Sequence, residues 1–279
     1  ANKCGLCWAI AAFGHARCLL KPYRVLMANA AKGVAIALGA GGAGCALTFA
    51  GSALFSSPKE KRPCPSERER HDVFDGIAKK WDETVRFDEM VAGIGRWRRR
   101  LIQHASGNVL EVAVGSGRNF TYYNSAKVKS LTAVDFSRGM LEVADGKRAA
   151  LQPISLRLKL ASSQKLDFED SSFDTIVDTF GICSFEAPVQ ALQEMRRVVK
   201  EDGQVLLLEH GSSSWEPVQS LLNRGAQHHA EKFGCYPNRN ITRLVREAGL
   251  YIETDERKHF GTTYLLVCRK NPPEEDFPE

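Results

Sequence analysis

The chain has 279 residues, with 38 Lys/Arg and 33 Asp/Glu and a formal net charge of +5. A chain of this length holds one sizeable domain with an appendage, which excludes two full catalytic domains. The charge is unevenly placed: residues 1–59 contain six basic and no acidic residues, whereas residues 71–279 contain 28 Lys/Arg and 30 Asp/Glu. The near-neutral main part argues against a nucleic-acid-binding protein, because phosphate binding generally requires a basic face.

The N-terminal region has the composition of a membrane-bound mitochondrial segment. Residues 1–32 form a basic arm that is rich in Ala and free of acid, which is typical of mitochondrial targeting. Residues 33–55, GVAIALGAGGAGCALTFAGSALF, carry no charge, and at about 1.5 Å per residue they can cross a hydrocarbon core of about 30 Å. We therefore expect one transmembrane helix there; the alternatives are a flexible Gly/Ala linker and a targeting remnant. Small residues at four-residue spacing, Gly33, Ala37 and Gly41, would allow helix–helix contact with a membrane complex.

The next boundary follows from proline and charge. Residues 56–70, SSPKEKRPCPSERER, combine three prolines with dense charge and are assigned to a solvated linker. The main domain is placed at 71–270, and the acidic, Pro-rich tail at 271–279 is expected to be disordered. Of the eight cysteines only Cys4-Gly-Leu-Cys7 is closely spaced. A zinc site usually needs a second such pair, so cysteine spacing predicts no metal site.

The main domain begins with helical patterns. Residues 72–105 place apolar side chains at helix-like spacings, which predicts two helices before the sheet. The arginine-rich run at 96–100 is interpreted as a solvated helix face, in preference to a surface that binds RNA or lipid headgroups.

Beyond Gly107, short apolar runs alternate with helical stretches. This alternation predicts an α/β fold with a parallel sheet covered by helices on both faces. The four runs are VLEVAV at 109–114, LTAVDF at 131–136, FDTIVDTF at 173–180 and QVLLLEH at 204–210. Helices are expected around 217–229 and 239–248, followed by two closing antiparallel strands, YIETDERK and TTYLLVCR.

A glycine-containing turn after the first strand carries the clearest chemical signal. The motif is Glu111-x-Ala113-x-Gly115-x-Gly117, and Asp135 ends the next strand. Glycines at such a turn allow a nucleotide to approach the backbone, and an acid at the end of the second strand can accept hydrogen bonds from ribose hydroxyls. The third glycine of a dinucleotide-binding turn is absent. The pattern therefore indicates an adenosine ligand without a pyrophosphate.

At this point the segment from Val73 to Arg269 resembles the class I S-adenosylmethionine (AdoMet) methyltransferases of the quinone-biosynthesis type. The resembling segments, besides the glycine turn, are VDFSRGML at 134–141, SSQKLDFEDSSFDTIVD at 162–178 and RRVVKEDGQVLLLEHG at 196–211. The chain is still more similar to the mitochondrial inner-membrane methyltransferase-like subfamily, through GRN at 117–119, DTFGICS at 178–184, LEHG at 208–211, NRN at 238–240 and HFGTT at 259–263.

The resemblance implies a Rossmann-like, seven-stranded sheet, AdoMet as cofactor and a set of binding residues. These are Glu111, Ala113, Gly115 and Gly117 at the methionine end, Asp135 at the ribose with Phe136 beside it, Ser162 and Ser163 at the adenine edge, and Thr179 and Phe180 after the fourth strand. Two positions depart from the family pattern. Ala113 replaces the usual Gly, and Ser162 replaces an Asp that bonds the adenine amino group, which removes a charge-assisted contribution of about 1 kcal/mol.

Methyl transfer from AdoMet requires alignment of acceptor and cofactor, with removal of a proton where the acceptor carries one. His210, at the carboxyl end of the fifth strand, is the candidate base, and His228 and His229 are the alternatives. Three further polar residues are expected near the acceptor or this histidine: Cys183, Ser184 and Glu209.

Three functions follow from these patterns. The first is a methyltransferase that acts on a small or lipophilic acceptor, such as a quinone-like molecule, as a single-pass protein of the mitochondrial inner membrane. The second is an accessory or assembly subunit of an inner-membrane respiratory complex with little activity, which Ala113, Ser162 and the small-residue helix face motivate. The third is methylation of mitochondrial RNA or protein, against which the near-neutral domain counts.

Overall fold

The computed structural model describes residues 66–273. The predicted basic arm, the transmembrane helix, most of the linker and most of the acidic tail lie outside these residues. Between Ser66 and Pro273, no helix is both long and apolar enough to cross a membrane.

Seven helices and seven strands make up the described part of the chain. The helices are α1 Glu67–Ile77, α2 Trp81–Val91, α3 Ile94–Ile102, α4 Arg138–Asp145, α5 Pro188–Val198, α6 Glu216–Phe233 and α7 Ile241–Glu247. The strands are β1 Gly107–Val112, β2 Val128–Asp135, β3 Ser155–Leu160, β4 Phe173–Thr179, β5 Val199–His210, β6 Tyr251–Lys258 and β7 Thr263–Arg269. Three short 3₁₀ turns lie at Ala78–Lys80, Phe120–Tyr122 and Arg148–Leu151.

All seven strands form one sheet in the order β3-β2-β1-β4-β5-β7-β6. β1 to β5 pair parallel with one another, and β7 pairs antiparallel with both β5 and β6. The strand order reverses between β1 and β4, which is where open α/β sheets bind ligands at their carboxyl edge. This confirms the predicted seven-stranded, Rossmann-like α/β fold.

The sheet is apolar on both faces, as the continuous apolar strands predict. In β1 alternate residues point to opposite faces: Leu110 and Val112 join a core with α5 and α7, while Val109 joins a core with α3. Helices therefore bury both faces, and the polar groups of the strands concentrate at the carboxyl edge.

Ser66, five residues before the predicted domain boundary, caps helix α1. Ser66 accepts a hydrogen bond from the backbone N–H of Glu69 at 3.3 Å, and the Glu69 carboxylate accepts one from the backbone N–H of Ser66 at 2.7 Å. This capping box satisfies otherwise unpaired amides at the start of α1. Residues 66–70, assigned from charge to the linker, thus start a helix.

From Glu67 to the start of the sheet the structure has three helices, where the sequence predicted two in residues 72–105. The extra break comes at Gly93, whose φ of +65° lets the chain turn between α2 and α3. Within α3 the arginine run is not wholly solvated, because Arg98 is only 5% exposed. Arg98 lies one turn from Ile94 and Leu101 on the buried face of the helix.

Candidate active site

The glycine turn after β1 has the backbone that a close-approaching ligand needs. Gly115 has φ +53°, and a Cβ built on it would have no heavy atom within 4 Å, so the turn faces open space. Gly117 has φ +74°, and its Cβ would lie 2.7 Å from the Phe120 ring. Ala113 also has a left-handed φ, +51°, which is costly for a residue with a side chain. The glycine that the family places here would relieve this strain.

Asp135, at the end of β2, is bound to the glycine turn. Its carboxylate accepts hydrogen bonds from the backbone N–H of Gly115 at 2.8 Å and of Ser137 at 2.9 Å. The side chain is buried, and burial raises the pKa of Asp135 to about 6. A carboxylate has about four lone-pair sites, so two neutral amide donors leave capacity for ribose hydroxyls.

Glu111, in β1, is buried beneath the same turn. One carboxylate oxygen accepts from Asn119 Nδ2 at 2.9 Å and the other from the Tyr123 hydroxyl at 2.8 Å. Burial raises the pKa of Glu111 to about 7. The acid therefore changes its charge near neutral pH, unless a bound cationic group such as the amino group of AdoMet favours the carboxylate.

Arg98 joins Glu111 to the fourth strand through a buried network. The guanidinium donates to Asn119 Oδ1 at 3.0 Å and to Thr179 Oγ1 at 2.7 Å. It also donates to Glu89 Oε1 at 2.9 Å. Burial alone would raise the pKa of Glu89, but the charge of Arg98 holds this pKa below its ordinary value. Periodicity could have revealed this arginine, since it shares a helix face with apolar residues.

Helix α2 supplies two acids that bind residues around the glycine turn. Asp82 accepts from the Ser116 hydroxyl at 2.6 Å and from Arg118 Nη1 at 3.0 Å. It also pairs with Lys147, and Glu89 pairs with Arg118. These contacts hold the helices that precede the sheet against the turn. Neither Asp82 nor Glu89 lies in one of the sequence motifs described above.

The predicted adenine edge follows β3. The backbone N–H of Ala161 donates to the Asp135 carbonyl at 3.0 Å, which brings the half-buried Ser162 and Ser163 beside the end of β2. The Ser162 hydroxyl accepts only a long bond, 3.3 Å, from the backbone of Gln164. Phe136, next to Asp135, makes an edge contact with Phe74 of α1 at a ring distance of 5.9 Å.

Phe180 connects the cofactor side to the acceptor side. It follows β4 with φ +62°. The Arg98 guanidinium lies 5.0 Å from the centre of its ring, and the His210 ring lies 5.5 Å from it. Thr179, the preceding residue, bonds Arg98 and Asn119. The predicted residues from β1, β2, β3 and β4 therefore converge on one edge of the sheet.

His210 ends β5 among sulfur and imidazole groups. Its Nε2 lies 3.7 Å from Cys235 Sγ, which in turn lies 3.1 Å from Nε2 of His229. Burial alone would lower the pKa of His210, but the nearby Cys183 sulfur raises this pKa above its ordinary value. His229 is buried here, whereas His228 is exposed, so the structure does not bring His228 to this cluster.

Two buried carboxyl groups lie under this region. Glu209 accepts from the backbone N–H of Gly181 at 3.0 Å and of Ile182 at 3.4 Å, so it fixes the chain that follows β4. Burial raises the pKa of Glu209 to about 8. Burial, and then the proximity of Glu209, raise the pKa of Asp178 well above its ordinary value. Sequence reasoning did not single out Asp178.

The residues at this edge fit AdoMet. The open space at Gly115 admits a ligand against the backbone, and Asp135 offers free lone pairs at the position of a ribose. Glu111 provides a buried acid close to the turn. The methyl group of Ala113 and the uncharged Ser162 reduce the fit at two points without closing the turn.

Comparisons with known proteins agree with this fold. Residues 110–207 match the family described as "Methyltransferase domain". The chain is 29% identical over 219 residues to the mitochondrial methyltransferase OMS1 of Saccharomyces cerevisiae, covering 73% of this chain and 46% of that protein. It is 33% identical over 154 residues to demethylmenaquinone methyltransferase of Renibacterium salmoninarum, covering 53% and 62%. It is 34% identical over 129 residues to phosphatidylethanolamine N-methyltransferase of Cereibacter sphaeroides, covering 44% and 62%.

Among solved structures, a SAM-dependent methyltransferase from Aquifex aeolicus superposes with a TM-score of 0.51 at 16% identity, covering 71% of this chain and 98% of the other. At this identity the likeness shows the fold alone. The chain spans about half the length of OMS1 and about three fifths of the two bacterial relatives, 46% and 62%.

Proposed function

We propose that the chain is a class I, AdoMet-dependent methyltransferase that transfers a methyl group from AdoMet to a small, lipophilic acceptor at the mitochondrial inner membrane. The observation that carries the proposal is the joined pair of the open glycine turn and Asp135, linked by the 2.8 Å hydrogen bond from Gly115. This pair places a ribose-binding acid beside a backbone that a nucleoside can approach.

We assign the chemistry to the residues at the carboxyl edge. When bound, AdoMet supplies an electrophilic methyl group. Asp135 and the glycine turn hold the nucleoside, with Ser162 and Ser163 at the adenine. Glu111 places an acidic group close to the methionine end of AdoMet. The acceptor is placed by the residues after β4 and β5, where Phe180 and His210 lie against each other with ring centres 5.5 Å apart.

His210 is proposed as the group that removes a proton from the acceptor. It is half-buried at the carboxyl end of β5, where open α/β sheets place reacting ligands. Its pKa is raised above the ordinary histidine value, so the free base that can take a proton increases as pH rises through that pKa. Activity limited by His210 should therefore increase on the alkaline side.

The acceptor class is suggested by the named relatives and by the N-terminal sequence. One relative is named as acting on demethylmenaquinone and another on phosphatidylethanolamine, both lipophilic molecules. The mitochondrial name of OMS1 and the basic, acid-free N-terminal arm favour the mitochondrial location. The uncharged span at 33–55 would keep the domain at a membrane that contains such acceptors.

Calorimetric titration of the purified full chain with AdoMet, and with its demethylated product, tests the cofactor step. Micromolar binding is expected. Transfer of labelled methyl from AdoMet to organelle lipid extracts then tests the acceptor class, with radioactivity expected in the organic phase. The Asp135→Asn variant, which is expected to bind AdoMet more weakly, serves as the control. Lack of binding at millimolar AdoMet would overturn the proposal and favour the accessory-subunit function, which the strained Ala113 and uncharged Ser162 otherwise suggest.

A further inference from the structure

Two cysteines and a histidine from distant parts of the sequence meet at the carboxyl edge of the sheet. Cys183, His210 and Cys235 each offer one potential ligand atom, and these atoms all lie within 4.8 Å of one another. We call these three residues the Cys-His-Cys cluster. Cys183 is 1% and Cys235 7% exposed, so both sulfur atoms are shielded from bulk water.

The backbone around the Cys-His-Cys cluster is held in place. The N–H of Tyr236 donates to the Cys183 carbonyl at 2.9 Å, which joins the segment after β4 to the segment after α6. Arg239 donates to the carbonyls of Ile182 and Phe185 at 2.5 and 2.7 Å, on either side of Cys183. The backbone around Cys183, and its link to the residue after Cys235, are thus held by hydrogen bonds, and Cys183 Sγ also donates to the Phe180 carbonyl at 3.3 Å.

A second layer of polar side chains surrounds the Cys-His-Cys cluster. His229, on α6, has its Nε2 3.1 Å from Cys235 Sγ, a distance at which an imidazole N–H can donate to a thiolate. The buried Glu209, which precedes His210, accepts from the backbone N–H of Ile182, the residue before Cys183, at 3.4 Å. An acidic side chain and two thiols therefore share one buried region, where a divalent cation would offset negative charge.

The donor atoms indicate which cation fits. Thiolate and imidazole ligands together favour zinc over the hard cations that prefer oxygen. Zinc–ligand bonds of about 2.0–2.3 Å in a tetrahedron put ligand atoms roughly 3.3–3.8 Å apart. The 3.7 Å between His210 Nε2 and Cys235 Sγ lies in this range. Three protein ligands are also the number that leaves a tetrahedral zinc with one open position.

We propose that Cys183, His210 and Cys235 bind one zinc ion through two thiolates and one imidazole, with His229 as a hydrogen-bond partner of Cys235. The fourth position is left to water or another small ligand. The proposal extends beyond methyl transfer and does not depend on it. Zinc on Nε2 of His210 would occupy the nitrogen assigned above as the proton-removing base, so the zinc site and that assignment are alternatives between which the zinc content decides.

The test uses the full chain, purified under reducing conditions, stripped of metal with a chelator and reconstituted with Zn²⁺. Mass spectrometry of the metal content should give about one zinc per chain. Cys183→Ser and Cys235→Ser should each lose most of it. The matched control is Cys268→Ser, which changes a buried cysteine of β7 that lies outside the cluster and should keep the zinc. His229→Gln should weaken zinc binding by about 10–100-fold, as for other partners of metal ligands.

A titration of the unaltered chain with Co²⁺ needs no variant to fold. Thiolate-to-cobalt charge-transfer bands that saturate at one equivalent, and that zinc displaces, are expected. Absence of these bands together with absence of bound zinc would overturn the proposal, as would equal zinc loss in Cys268→Ser and Cys183→Ser. A disulfide between Cys183 and Cys235 in protein taken directly from cells would also overturn it. None of these readouts requires AdoMet, so they stay separate from the test of methyl transfer.

Discussion

Arg98→Met is expected to destabilise the domain by about 3–5 kcal/mol, because the substitution removes a buried cation and leaves its partners in place. Asn119 Oδ1 would lose its donor, Thr179 Oγ1 would keep only the bond from Asn119 Nδ2, and Glu89 would keep only Arg118. Methionine is close to arginine in helix propensity and in length, so the backbone of α3 itself should tolerate the change.

The matched control is Arg99→Met, on the exposed side of the same helix, which should change stability by less than about 0.5 kcal/mol. Urea denaturation followed by circular dichroism measures both variants. For a domain of about 200 residues, the loss at Arg98 corresponds to a melting temperature lower by about 6–20 °C. Equal stability of the two variants would refute the reasoning that the Arg98 network is buried and mutually dependent.

Three further predictions concern the cofactor residues. Asp135→Asn should weaken AdoMet binding by about 10–100-fold in calorimetry, since it replaces a charged acceptor of ribose hydroxyls by an amide; unchanged affinity would remove Asp135 from the site. Glu111→Gln should flatten the pH dependence of stability. The pKa of Glu111 is about 7 in the folded chain against an ordinary 4.5. Its contribution to stability is therefore complete below about pH 4.5 and is lost, by about 3 kcal/mol, as pH rises through 7. The urea midpoints at pH 5 and pH 8 should differ more for the native chain than for Glu111→Gln. Ser162→Asp should tighten AdoMet binding by about fivefold by restoring a charged acceptor for the adenine amino group, whereas Ser163→Asp, the adjacent control, should not; an equal effect of both would indicate general electrostatics.

The parts of the fold that sequence predicted are those with strong local patterns. The apolar runs of β1, β4 and β5 are buried on both faces, so their strands are visible as continuous hydrophobic stretches. β3 was not singled out, because SLRLKL alternates with charged residues in a strand at the edge of the sheet. The seventh strand was therefore implied by the resemblance alone.

Only part of the candidate site could likewise be predicted from the sequence. The glycine turn and Asp135 are separated by a single strand-turn unit, and their spacing in sequence predicts their contact. Cys183, His210 and Cys235 come from three separate segments, and no linear spacing predicts that they meet. The spacing of cysteines along the sequence points to Cys4 and Cys7 instead, because spacing detects only metal ligands that are close neighbours along the chain.

The helix that begins the described domain ties together both sides of the site. In α1, Glu67 accepts from Gln164 beyond the predicted adenine edge, while Arg70 pairs with Glu186 in the segment that follows β4. Anything attached before Ser66 is therefore covalently continuous with the residues that join these two edges. A change that unwinds the first turn of α1 would therefore release the hydrogen bond to Gln164 and the ion pair with Glu186 together.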